Sequence, residues 1–186
     1  MRFRTSLVVA LAAALLPACK DSTGPSVTFP TLPAQLLANF CVRGERVPGQ
    51  AIGGSVSTSD CPLGDGSFFE TWRVRVATAG NYQFAASSAF DNLLSVLRVD
   101  SFTTTTASVT QIAFDDDGGT GNNALIAGAP LVPNVDYILA VNGYLATDTG
   151  PYTVTFTKNA VTSQVAAPLT GTQTAAAIPF AAKPRK

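Results

Sequence analysis

Asp115, Asp116 and Asp117, with Asn122 and Asn123 six to seven residues further on, form the densest group of oxygen donors in the chain. Hard cations such as Ca²⁺ take six to eight oxygen ligands, so carboxylates and amides on a glycine-bearing loop have the right chemistry for one. The spacing is not that of an EF-hand, because Gly119 and Thr120 stand where that loop needs a ligand and its invariant glycine. The competing reading is a solvated turn whose Asp and Asn side chains satisfy local backbone donors. Catalysis is not expected. The chain has no histidine, which removes Ser-His-Asp and Cys-His chemistry and the usual neutral-pH proton shuttle. A glycosidase pair needs two carboxyls about 5–9 Å apart across a cleft, and the chain has only two glutamates, one of them within a strand pattern.

The aromatic residues mostly read as packing. Trp72, the sole tryptophan, alternates with core positions and suits a core role better than a sugar-stacking platform. Tyr82, Tyr137 and Tyr152 also fall within strand patterns, with hydroxyls expected at the rim. Tyr144, between Asn142 and Gly150, is the better candidate for a ligand contact. Arg73 and Arg75 share the outward face of one strand, where solvated charges are the common arrangement.

The 186 residues carry 12 basic and 12 acidic side chains, with 13% charged and 46% hydrophobic. That balance excludes a nucleic-acid partner, which would require a basic face. Between residues 41 and 158 there are 6 basic and 11 acidic side chains, so the part expected to fold is acidic.

Residues 1–18 have the form of an export signal. Arg2 and Arg4 precede an apolar run of ten residues from Leu7 to Leu16, too short to span a bilayer. The run ends in Leu16-Pro17-Ala18-Cys19, which resembles the lipobox of bacterial lipoproteins. In that family the cysteine becomes the acylated N-terminus, so the resemblance implies a lipid anchor at Cys19; the plainer alternative is an ordinary signal peptide. Lys20 after the cysteine, by resemblance to the enterobacterial sorting rule, points to the outer membrane of the cell envelope. With Cys19 acylated, Cys41 and Cys61 remain as a disulfide pair in an oxidising compartment, two free buried thiols being the alternative.

Residues 19–38 are expected to be the lipidated cysteine and a Ser/Thr/Pro-rich tether, and 161–186 an Ala/Thr/Pro-rich flexible tail with a basic end. Residues 39–160 form the domain. Its apolar period is two: Trp72, Val74 and Val76 alternate with Arg73 and Arg75, and Tyr82, Phe84 and Ala86 alternate after the Gly80-Asn81 turn. Short apolar runs around residues 94–96, 111–114, 124–126, 137–141 and 152–156 continue the series, separated by Gly118-Gly119, Pro133-Asn134, Asn142-Gly143 and Gly150-Pro151. The expected fold class is all-β, an antiparallel sandwich of about 7–8 strands.

The order Phe69-Glu70-Thr71-Trp72-Arg73-Val74, Phe90-Asp91-Asn92-Leu93-Leu94, Phe114-Asp115-Asp116-Asp117-Gly118-Gly119 and Gly150-Pro151-Tyr152-Thr153-Val154 resembles the bacterial pre-peptidase C-terminal (PPC) domain. The likeness covers roughly residues 53–157. It implies a jelly-roll-like β-sandwich related to collagenase collagen-binding domains, without catalysis of its own. Some members bind calcium through acidic residues near the domain start; Asp60, Asp65 and Glu70 stand there, at a spacing that does not carry those ligands over. The expected function is therefore a non-catalytic, lipid-anchored envelope protein binding an extracellular protein or polysaccharide polymer. The alternative is an assembly partner of another envelope protein or of a secreted protease.

Overall fold

The computed structural model describes residues 27–31, 34, 38, 40–102, 107–159 and 173–174. The expected signal peptide, Cys19 and most of the expected C-terminal tail lie outside these residues. Among the described residues, no helix is long and apolar enough to cross a membrane.

Four strands come first: β1 (Val42–Arg46), β2 (Ile52–Val56), β3 (Cys61–Pro62) and β4 (Phe68–Val74). Then follow β5 (Gly80–Ser88), β6 (Asn92–Phe102), β7 (Ala107–Asp115) and β8 (Leu125–Leu131). β9 (Tyr137–Gly143), β10 (Gly150–Lys158) and the two-residue β11 (Gln173–Thr174) complete the order. Eight of them form a jelly roll: a sheet ordered β2-β10-β5-β8 faces a second sheet containing β4-β9-β6-β7. β1, β3 and β11 are additions to the edges of the second sheet, making it seven-stranded. The expected all-β, jelly-roll-like sandwich is what the chain adopts, and the seven apolar runs of the sequence are β4 to β10. The departure is β1, which pairs with β4 in parallel.

Alternation decides which side chains meet between the sheets. Along β10, Tyr152, Val154 and Phe156 are buried while Thr153, Thr155 and Thr157 are exposed, as a half-solvated sheet requires. Phe156 pairs across the ladder with Phe84, and their rings stack at 4.5 Å. From the other sheet Trp72, Val74, Leu94, Val96, Leu139 and Val141 close the core.

The seven-stranded sheet is also buried on its outer face. Every residue of β9 is buried, and so is every residue of β4 after Phe68. A second apolar cluster, Phe40, Leu97, Val109 and Ile138, sits there. The segment before β1 helps to cover this face. Thr71 Oγ1 donates to the Phe40 carbonyl at 2.5 Å, and the Phe29 ring lies 5.1 Å from the Arg73 guanidinium. The chain then reverses at Cys41, whose φ of 50° is the left-handed conformation, and runs back as β1 beside β4. The end of the segment expected to act as a tether thus lies against the domain.

Candidate functional site

Strand β4 places Glu70 and Trp72 two residues apart, so both point into the core between the sheets. A carboxylate there is costly unless it is paired and hydrogen-bonded. Glu70 is 4% exposed and has both kinds of partner. Its Oε1 lies 3.1 Å from Arg43 Nε, and its Oε2 accepts from the Tyr152 hydroxyl at 2.8 Å. The same hydroxyl accepts from Trp72 Nε1 at 2.8 Å. Gly54 makes the space, since a Cβ there would overlap Glu70 Oε2 and come within 2.5 Å of the Tyr152 oxygen. Burial pushes the Tyr152 hydroxyl well above its ordinary pKa of 10; the Trp72 N–H works against this and the Glu70 charge adds to it. Tyr152 is therefore a neutral donor at physiological pH. Its hydroxyl was expected at the rim and is found inside, because Glu70 is there to receive it. Tyr137 and Tyr82 do reach loop backbone, at Val132 N and Thr78 O.

Arg43 carries this network to the surface. Its guanidinium pairs with Asp60 as well as Glu70, and Asp60 Oδ2 accepts from Ser57 N at 2.7 Å and Ser57 Oγ at 2.9 Å. A cavity of about 290 Å³ opens beside them, lined by Ala38, Cys41, Val42, Arg43, Ser59 and Asp60. Cys41 and Cys61 are joined in a disulfide, with Cα atoms 6.0 Å apart. β1 and β3 lie along the same edge of β4, and the bond ties the starts of the two strands together. Asp60 at the cavity and Glu70 behind it are both committed to Arg43 and to neighbouring donors, so they hold strands together.

Arg73 lies on the outward face of β4 with Arg75 just past the strand's end, but Arg73 is not a solvated charge. It is 2% exposed, with Nη1 2.6 Å from Glu45 and Nη2 3.1 Å from Asp136. Arg75 Nε meets the same Asp136 oxygen at 3.1 Å, and Arg75 donates to the Thr28 carbonyl. The covering segment, invisible to period-two reading, is what buries them.

The acidic loop between β7 and β8 is folded on its own side chains. Asp115 Oδ2 accepts from Gly118 N and Leu125 N, both at 2.7 Å, and a Cβ on Gly118 would stand 2.7 Å from the same carboxylate. Asn123 Oδ1 accepts from Ser88 N at 2.7 Å and Asn92 Nδ2 at 2.6 Å, while Asn123 Nδ2 donates to Thr120 O. Asn122 is exposed, and its carbonyl takes the Asn92 N–H at 3.3 Å. Asp116 and Asp117 lie between the two anchors, half-buried. Of the five proposed cation ligands, then, Asp115 and Asn123 already accept backbone donors. Among the described residues, no group of three or more His, Cys, Asp or Glu side chains is gathered as a metal site.

Tyr144, the other candidate, is half-buried in the β9–β10 loop, with its N–H on the Asp91 carbonyl at 2.9 Å. Next to it, Leu145 is 55% exposed, held outward by a turn in which Asp148 Oδ2 accepts the Leu145 N–H at 2.8 Å. Period-two alternation does not single out Leu145; its signal is a large aliphatic side chain beside Tyr144 in a loop whose other residues are small or polar, between Gly143 and Gly150.

The jelly-roll connections bring these parts together. The β2–β3, β3–β4, β5–β6, β7–β8 and β9–β10 loops all emerge at one pole. They carry Asp60, Asp65, Asp91, Asp148 and the Asp115-Asp116-Asp117 run, and among the described cations only Arg43 reaches them. At the opposite pole stand Arg46, Arg73, Arg75, Arg98 and Lys158 against Glu45, Asp100 and Asp136. The excess negative charge of the domain is thus concentrated at one end.

These features define a class: a disulfide-braced jelly-roll sandwich whose buried charges serve the scaffold and whose loops form one acidic pole. No family model matches the sequence, and no curated protein sequence is similar to it. Among solved structures it is similar to the pre-peptidase C-terminal domain of a collagenase from Bacillus anthracis. The identity is 16% and the TM-score 0.41, over 61% of this chain and 92% of that one. It is also similar to PliG from Aeromonas hydrophila, a periplasmic inhibitor of g-type lysozyme. There the identity is 12% and the TM-score 0.39, over 63% of this chain and 99% of that one. PliG from Salmonella Typhimurium is similar at 12% identity and a TM-score of 0.33, over 62% and 98%.

Proposed function

We propose that this chain is a non-catalytic, lipid-anchored protein of the bacterial envelope, on the outer membrane, that binds an extracellular protein or polysaccharide polymer with its acidic loop pole. The observation that carries the reading is the convergence of five loops at one end, with Leu145 turned outward there. The buried charges Glu70, Arg73 and Asp60 are engaged in holding strands, which supports binding over chemistry. Support for export comes from the Leu16-Pro17-Ala18-Cys19 sequence and from the Cys41–Cys61 disulfide, which suits an oxidising compartment.

The test is co-sedimentation of the full-length protein, in detergent micelles, with insoluble collagen, chitin, cellulose and peptidoglycan. Saturable retention on one polymer, lost in Leu145→Asp, is the expected result. Failure on all four would count against polymer binding and leave assembly with another envelope protein as the reading to pursue.

A further inference from the structure

We infer that the pole bearing Arg46, Arg98 and Lys158 is the surface turned toward the lipid headgroups, so that the acidic loop pole is held away from the membrane. The inference rests on the proposed acylation of Cys19.

Tether length is the first reason. Only seven residues, 20–26, separate Cys19 from Val27. The eight Cα steps from Cys19 to Val27 reach at most about 29 Å when fully extended. The point where the described chain begins is the second reason. The Thr28 carbonyl receives Arg75, and the Phe29 ring lies 5.1 Å from the Arg73 guanidinium and 5.9 Å from that of Arg75. Arg73 stands at the end of β4 opposite Ile138, near the start of β9, which is the pole away from the acidic loops. β6, with eleven residues, runs from one pole to the other and is about 33 Å long. Arg73 lies through Ile138 opposite Leu97, five residues along β6 from Asn92. Turning the acidic pole to the bilayer would therefore hold the docking point about 17 Å up, plus the height of the loops, and the tether would have to run stretched along the domain.

Charge acts in the same direction. The membrane-facing pole carries five cations against three carboxylates, and Lys158 and the Arg98 side chain are open to solvent. Anionic headgroups attract such a surface and repel the opposite one, within about 8 Å at physiological ionic strength.

The test places one fluorophore at either pole of the lipidated, full-length protein. Ala79→Cys lies in the exposed β4–β5 loop at the basic pole, and Thr147→Cys in the exposed β9–β10 loop at the acidic one. With Cys41 and Cys61 paired and Cys19 acylated, the introduced thiol is the one labelled. Energy transfer to a headgroup-labelled lipid is then read in vesicles of phosphatidylethanolamine and phosphatidylglycerol. Transfer several-fold stronger from position 79 than from position 147 is expected, and Phe29→Ala should narrow the difference by loosening the segment before β1 from Arg73 and Arg75. Equal transfer from both positions, or stronger transfer from 147, on protein that is vesicle-bound and acylated, overturns the orientation alone. Mass spectrometry showing no acyl group on Cys19 overturns the anchor, and the orientation with it.

Discussion

The Tyr152 hydroxyl donates to Glu70 Oε2 across 2.8 Å, and in doing so joins the two sheets through the middle of the core, from β10 to β4. Because the same oxygen accepts the Trp72 indole N–H at 2.8 Å, one side chain satisfies two buried partners.

Tyr152→Phe removes both bonds and leaves a buried carboxylate oxygen and a buried indole N–H without this partner. The expected cost is about 2–4 kcal/mol, read as a lower midpoint in urea. Adding Glu70→Gln to Tyr152→Phe should cost less than the sum of the two single changes, since they share one interaction. Additive costs would show that the hydroxyl and the carboxylate are not coupled.

Alkali should expose the same burial. Burial raises the Tyr152 hydroxyl, and burial likewise raises Tyr137 against the opposing Val132 N–H bond. In the unfolded chain both ionise near pH 10, while in the fold they stay neutral to higher pH. The unfolded state therefore releases its protons first. The stabilisation is complete below about pH 10 and declines above it, by up to about 1.4 kcal/mol per pH unit for each group. Urea midpoints taken from about pH 8 upward should stay level and then fall, less steeply in Tyr152→Phe. An equal slope in the two proteins would contradict the assignment.

The disulfide closes a separation of 20 residues and pins the reversal at Cys41 that lays β1 beside β4. Replacing both cysteines by serine should cost about 3 kcal/mol. Hydrogen exchange should quicken first in β1, which is held along a single edge. An unchanged urea midpoint would show that β1 is secured by its ladder and by Arg43 alone.

Asp115 staples its loop through Gly118 N and Leu125 N. Asp115→Ala should destabilise the fold by about 1–3 kcal/mol whether or not EDTA is present. Wild-type protein should melt at the same temperature in Ca²⁺ and in EDTA, because the oxygens of Asp115 and Asn123 already have backbone donors. A melting temperature raised by Ca²⁺ would instead give the loop a cation, held through Asp116, Asp117 and Asn122.

Period-two alternation by itself determined the seven strands β4 to β10, and with them the core positions of Trp72, Val74, Phe84 and Val154. The reason is local: successive side chains on a strand point to opposite faces, so the partition between core and solvent is written in neighbouring residues. The oxidised pair Cys41–Cys61 was also legible, from cysteine count and compartment. Strands β1 to β3 were not. Their short runs include Gly44, Gly53, Gly54 and Pro62, so their residue types show no apolar alternation even though burial alternates along β1 and β2, and β1 is fixed by a parallel partner on β4.

Only the tertiary structure decided what the charges do. Glu70 and Tyr152 are 82 positions apart, and Arg73 and Asp136 are 63 apart, so no local pattern announces either contact. Arg73 reads as an exposed strand charge until the segment with Phe29 and Phe40 is laid over that face. The net acidity of the domain was visible in composition, but its concentration at one pole was not. That follows from jelly-roll connectivity, which sends alternate loops to opposite ends, and the aspartates fall mainly in the loops of one end.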